Sequence, residues 1–158
     1  MTDDASEWYD EVAMPALMRA ARATYGRAIR AALDEVACED VPRNGIFVIG
    51  AIARGGSPLS GIIKGLGVSK QAAGQLVDTL VVRGYLDRST DPEDRRRMTV
   101  SLTERGQLAA SASRSAIEQV DARATEQVGA RRMADARAVL GTLVGLGAEG
   151  EERGEPAV

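Results

Sequence analysis

From Trp8 to Val36 apolar residues recur at three- and four-residue intervals, through Met14, Leu17, Met18, Ala21, Tyr25, Ile29 and Leu33, while Arg19, Arg22, Arg27 and Arg30 stay off the stripe. That period predicts a long amphipathic helix, started or kinked by Pro15. A second, unusually glycine-rich helix is expected over Gly45–Arg54. Next comes a shorter pattern in which Leu59, Ile62, Ile63 and Leu66 form one stripe, Gly65-Leu66-Gly67 supplies a tight turn, and Ser69 caps another helix. On that helix Ala72, Ala73, Leu76, Val77 and Leu80 fall on one side, and Gln71, Gln75 and Asp78 line the other. A row of amides facing outward suits base edges in a major groove.

The period then shifts to two. Asp91-Pro92-Glu93-Asp94-Arg95-Arg96-Arg97 reads as a charged hairpin tip, after which Met98, Val100 and Leu102 alternate with Thr99 and Ser101 as in a half-buried strand. Thr103 can cap the following helix, with Glu104 in its first turn. Three arginines at an exposed tip are poorly explained as core, and a solvated charged hairpin is the plain alternative. Beyond Gly106, Leu108, Ala112, Ile117, Val120, Ala124 and Val128 mark a long helix. Gly129 is expected to break it before a last helix bearing Met133, Val139, Leu140, Leu143 and Leu146. The acidic tail from Gly147 is expected to be disordered. Such long helices with narrow apolar faces cannot all pack on a module of some sixty residues, so an intertwined dimer is expected.

From about residue 40 to 106 the chain resembles the multiple antibiotic resistance regulator (MarR) family of dimeric winged-helix transcription factors. The resemblance rests on Asp91, Asp94, Arg96, Leu102, Thr103 and Gly106, with Gly84-Tyr85-Leu86-Asp87-Arg88 leading into the hairpin. It implies a mainly α fold with a small β-hairpin wing. A winged helix-turn-helix would occupy 41–106, dimerisation helices 1–40 and 107–147, and a disordered acidic tail 148–158. The activity implied is sequence-specific binding of double-stranded DNA by a homodimer, as a ligand-responsive repressor on a palindromic operator. Its two recognition helices would lie about one DNA turn, roughly 34 Å, apart.

In that frame Ser69 and the helix N-terminus hold phosphate, while Lys70, Gln71 and Gln75 reach base edges. The wing carries Arg96 toward the minor groove, Asp94 orients Arg96, and Arg95 or Arg88 meets backbone phosphates. Ser60 and Lys64 are weaker phosphate candidates. Where the family often carries arginine on the exposed face of the recognition helix, this chain has Gln75 and Thr79, so its operator preference is its own. The resemblance also implies a small aromatic or anionic effector between the dimer helices and the reader, for which Trp8, Met18, Tyr25 and Phe47 are the candidate residues.

The net charge of −3 over 158 residues looks wrong for a DNA binder until it is divided by region. Residues 1–40 carry −5, residues 41–106 carry +4 and residues 107–158 carry −2. Phosphate attraction follows local charge, and the positive charge sits where the reader is expected. No run of eighteen apolar residues exists and the N-terminus is acidic, so a cytoplasmic protein without membrane contact is expected. With no histidine and one cysteine, neither a metal site nor a cofactor is expected. Cys38 reads as a small apolar residue, with a redox-sensing thiol as the alternative. Gly65–Lys70 superficially resembles a phosphate-binding loop but lacks its spacing, and no strand precedes it. No paired acids stand at a catalytic spacing, so the chain is not expected to be an enzyme. The alternative outside DNA binding is a winged-helix module for protein contact, its wing arginines meeting an acidic partner.

Overall fold

Pro15 sets where the first helix begins. In the computed structural model, which describes residues 8–55, 69–90 and 98–152, helix α1 spans Met14–Glu35 with the proline in its first turn. Proline suits that position because its missing N–H would find no intrahelical acceptor there. Of the two roles expected for Pro15, starting the helix or kinking it, the structure shows the first: Trp8–Val12 forms a turn, with the Val12 N–H on the Tyr9 carbonyl at 3.1 Å. The other end of α1 closes with Ala37 at a φ of 54°, its N–H on the Asp34 carbonyl and the Cys38 N–H on the Leu33 carbonyl. This paired closure satisfies two orphan carbonyls, and it usually takes glycine where this chain has alanine.

Helix α2 spans Gly45–Ala53, and α3 spans Lys70–Val82. Two strands follow, β1 at Leu86–Thr90 and β2 at Met98–Leu102, paired antiparallel from Leu86 opposite Leu102 to Thr90 opposite Met98. Helix α4 runs over Glu104–Val128, Gly129 breaks the path at a φ of 84°, and α5 spans Ala130–Glu152. The architecture is mainly helical with a two-stranded hairpin, as the sequence predicts. The first helix of the expected helix-turn-helix, the Gly65-Leu66-Gly67 turn and the hairpin tip over 91–97 lie outside the described residues.

The chain falls into two compact units, residues 1–117 and 118–158. In the first, Leu33, Cys38, Val48, Ile49, Val77, Leu80, Tyr85 and Leu86 are fully buried together with Ala109. Two glycines make this packing possible. A Cβ on Gly106 would stand 2.1 Å from the Tyr85 carbonyl oxygen, and one on Gly45 would stand 2.9 Å from the Leu80 side chain. Helix α3 buries Ala73, Val77 and Leu80, but Ala72 is exposed, so the expected apolar side of that helix is narrower by one residue.

In the second unit, Arg137 pairs with Asp121 at 2.7 Å. Helix α5 continues through Glu152, which corrects the expectation of a disordered tail for residues 148–152. Alanine and glutamate are good helix formers, and extending an existing helix avoids the nucleation penalty. Residues 153–158 lie outside the description. Apolar side chains remain uncovered in both units: Met14 and Met18 on α1, and Val139, Leu140, Leu143, Val144 and Leu146 on α5. No helix among the described residues is long and apolar enough to cross a membrane.

Candidate nucleic-acid interface

Ser69 starts the helix that carries the outward amides. Its backbone is extended, and its Oγ accepts from the Ala72 N–H at 3.2 Å, so one otherwise orphaned donor is satisfied. Burying Ala73, Val77 and Leu80 fixes the rotation of α3 and leaves Lys70, Gln71, Gln75 and Asp78 on solvent. These are the residue types that meet phosphates and base edges. Thr79 is not available in the same way, because its hydroxyl donates to the Gln75 carbonyl at 2.8 Å.

The junction between α3 and β1 is tied to the loop after α1 and to the start of α4 by groups that lie far apart in sequence. Gly84, at a φ of 72°, turns the chain out of α3, and Tyr85 follows with its ring buried. The Tyr85 hydroxyl donates to Asp40, and Arg105 donates to the same carboxylate at 2.9 Å while lying 4.4 Å from the centre of the Tyr85 ring. Arg105 also donates to the carbonyls of Arg83 at 2.6 Å and Ala37 at 3.2 Å. Arg83 in turn donates to the Asp40 carbonyl. The Tyr85 hydroxyl bond, with the charges of Arg105 and Arg83, holds the Asp40 carboxyl below its ordinary range against the opposing effect of burial. Burial, together with the Asp40 and Cys38 groups beside it, pushes the Tyr85 phenol well above its ordinary value.

At the base of the hairpin, Thr103 caps α4 as its sequence position suggests: its Oγ1 accepts from the Gly106 N–H at 3.0 Å and donates to the Gly84 carbonyl at 2.6 Å. Ser89 and Thr99 bridge the two strands at 2.8 Å between hydroxyls. Arg88 on β1 donates to Asp78 on α3, so the residue expected on a phosphate is paired in the free chain. Ser60, Lys64, Asp94, Arg95 and Arg96 lie outside the described residues.

The structure brings some of the effector candidates together. Met18, Arg22 and Tyr25 share one face of α1, being four and three residues apart, which corrects the expectation that Arg22 lies off the apolar stripe, and the Arg22 guanidinium lies 5.5 Å from the Phe47 ring centre on α2. Trp8 is apart from this helix face in sequence and packs edge-on against Tyr9 at 5.6 Å. Cys38 is fully buried. Among the described residues no group of three or more His, Cys, Asp or Glu stands where it could hold a metal ion.

The Asp40–Tyr85–Arg105 clamp escaped the reading of the sequence. Its one local signal is the run Gly84-Tyr85-Leu86-Asp87-Arg88, since the ion pair joins positions 65 residues apart.

Comparison with known proteins follows the same outline. Residues 39–97 match the model of the MarR family. No curated protein matches the chain by sequence. Among solved structures, RV1404 from Mycobacterium tuberculosis is 27% identical, with a TM-score of 0.58, covering 98% of this chain and 99% of that one. The transcriptional repressor CouR, bound to a 23-mer DNA duplex, has a TM-score of 0.67 at 17% identity, covering 90% of this chain and 99% of its own. MepR of S. aureus, bound to ethidium bromide, has a TM-score of 0.55 at 18% identity, covering 86% and 97%.

Proposed function

We propose that this chain, whose residues 39–97 match the model of the MarR family, is a winged-helix transcription regulator of that family, a sequence-specific DNA-binding repressor acting as a homodimer on a palindromic operator. The observation that carries this reading is the exposed face of α3. A helix capped by Ser69 presents Lys70, Gln71 and Gln75 beside a rigidly based β-hairpin. The N-terminal turn and Lys70 would meet phosphate, and the two glutamine amides would pair with the donor and acceptor edge of adenine. The wing arginines, Arg96 above all, would reach the minor groove, with Asp94 orienting Arg96. In fold the chain is similar to a repressor seen on a DNA duplex, which supports the same reading.

Dimerisation would cover the apolar side chains left open on α1 and α5, and set two recognition helices about one DNA turn apart. Residues 41–106 would form the reader and the flanking helices the dimer. A small aromatic or anionic effector would lodge against Met18, Arg22, Tyr25 and Phe47, where a cation already sits over an aromatic ring. Binding there would alter the separation of the readers. This reading assigns the chain no catalytic step.

The test is a gel shift with the full chain and the DNA beside its own gene, competed with random-sequence duplex. A retarded band that survives excess random duplex is the expected result. A band competed equally by both duplexes would exclude sequence-specific regulation.

A further inference from the structure

Asp78 is the one acidic residue of α3, and it stands on the face that carries Gln71 and Gln75, seven and three residues before it. A carboxylate aimed at a polyanion opposes binding unless it has a purpose there. Its position is fixed by the Arg88 guanidinium, which reaches across from β1 to Oδ1 of Asp78. Both groups remain open to solvent, with 58% of the Asp78 side chain and 40% of the Arg88 side chain exposed. An ion pair so exposed adds little to folding stability, so stability alone does not explain it.

Resting on the DNA-binding reading above, we infer that Asp78 is a specificity-determining residue that selects cytosine, and that Arg88 is the positioning residue that holds it. The chemistry of the groove gives the reason. In the major groove cytosine offers an amine donor with no acceptor beside it on its own ring. Adenine sets its N7 acceptor next to its amine, while guanine and thymine present acceptors alone. An acceptor-only carboxylate therefore gains from cytosine and is repelled elsewhere. On DNA of other sequence it also keeps Arg88 occupied, withholding one cation from the phosphates that supply nearly all non-specific affinity. Asp78 thus discriminates chiefly by penalising wrong sequences.

The experiment selects binding sites from a pool of random duplexes with full-length wild-type chain, Asp78→Asn, Arg88→Gln and Arg88→Lys, each checked for an unchanged melting transition. Affinities for the wild-type-selected site and for a random duplex are then measured at several salt concentrations. The wild type should enrich one C·G pair in each half-site that Asp78→Asn no longer prefers. Asp78→Asn should bind random duplex about five- to tenfold tighter, with the salt slope steeper by about one unit as Arg88 becomes free for phosphate. Arg88→Gln should lose preference at that same pair alone, and Arg88→Lys should restore part of it.

Unchanged site selection by Asp78→Asn overturns the inference, whether or not random-duplex affinity rises, because the carboxylate then reads no base. Loss of preference spread over the whole half-site in Arg88→Gln overturns its positioning role. A wild-type chain that enriches no sequence overturns the DNA-binding reading itself, and this inference with it.

Discussion

Ala37 occupies a backbone conformation that glycine adopts freely and alanine does not. A left-handed φ brings Cβ toward the following carbonyl, so the closure of α1 carries a local penalty that its two hydrogen bonds and the burial of Leu33 and Cys38 offset. Ala37→Gly is expected to stabilise the chain by about 0.5–1 kcal/mol, read as a higher urea midpoint at constant slope. At the clamp beside it, Tyr85→Phe removes the hydroxyl that Asp40 accepts from. A hydrogen bond to a charged group contributes about 1.5–3 kcal/mol, and because the carboxylate is partly open to water about 1–2 kcal/mol is expected here. The pH dependence follows from the directions of the two shifts. Asp40 is held below its ordinary value of 3.8, so its contribution is complete above that pH and is lost as pH falls through the lower folded value. Tyr85 is raised above its ordinary 10.0, so its contribution is complete below that pH and is lost as pH rises toward the folded value. Urea titrations of wild type and Tyr85→Phe should therefore converge at both extremes of pH and stand furthest apart between them.

Helix α3 shows which kind of structure a sequence displays. Ser69 as cap, the outward Gln71 and Gln75, and the buried Val77 and Leu80 were all legible, because caps and periodic faces are set by residues within one or two turns of each other. Thr103 and Gly129 were legible for the same reason. Three features were not. Ala72 had the composition of the buried side but stands at its edge, where rotation set by Val77 and Leu80 leaves it exposed. The left-handed Ala37 gave no glycine signal. The Asp40–Tyr85–Arg105 clamp joins the loop after α1, the α3–β1 junction and the start of α4 through long-range contacts that no local pattern encodes. Ser69→Ala should cost about 1 kcal/mol, the usual loss for a removed cap, seen as a lower melting temperature. Gly106→Ala should be worse than a cap deletion. Its Cβ meets backbone rather than a flexible side chain, so the hairpin base has to move, and a loss of about 1–3 kcal/mol or more in thermal unfolding is expected.

Assembly of two chains depends on the apolar surface of the two flanking regions finding a partner. Deleting residues 129–158 removes Val139, Leu140, Leu143 and Leu146, each able to contribute about 1.5–3 kcal/mol when fully buried. Sedimentation of that truncated chain should give a monomer or an insoluble product, whereas removal of 153–158 should leave assembly as it was. A soluble dimer from the longer deletion would take α5 out of the interface. Linking two readers multiplies their affinities, so the monomer should also lose tight binding while each module keeps its weak attraction for DNA. In the proposed function it is α3 that reads sequence. The most direct test of this role measures fluorescence anisotropy of the wild-type chain and Gln75→Ala on the selected duplex and on a random one, at the same salt. The expected result is a loss of about tenfold for Gln75→Ala on the selected site, as for a missing base contact, with binding to random duplex unchanged. Equal affinities of the two proteins on both duplexes would contradict the claim.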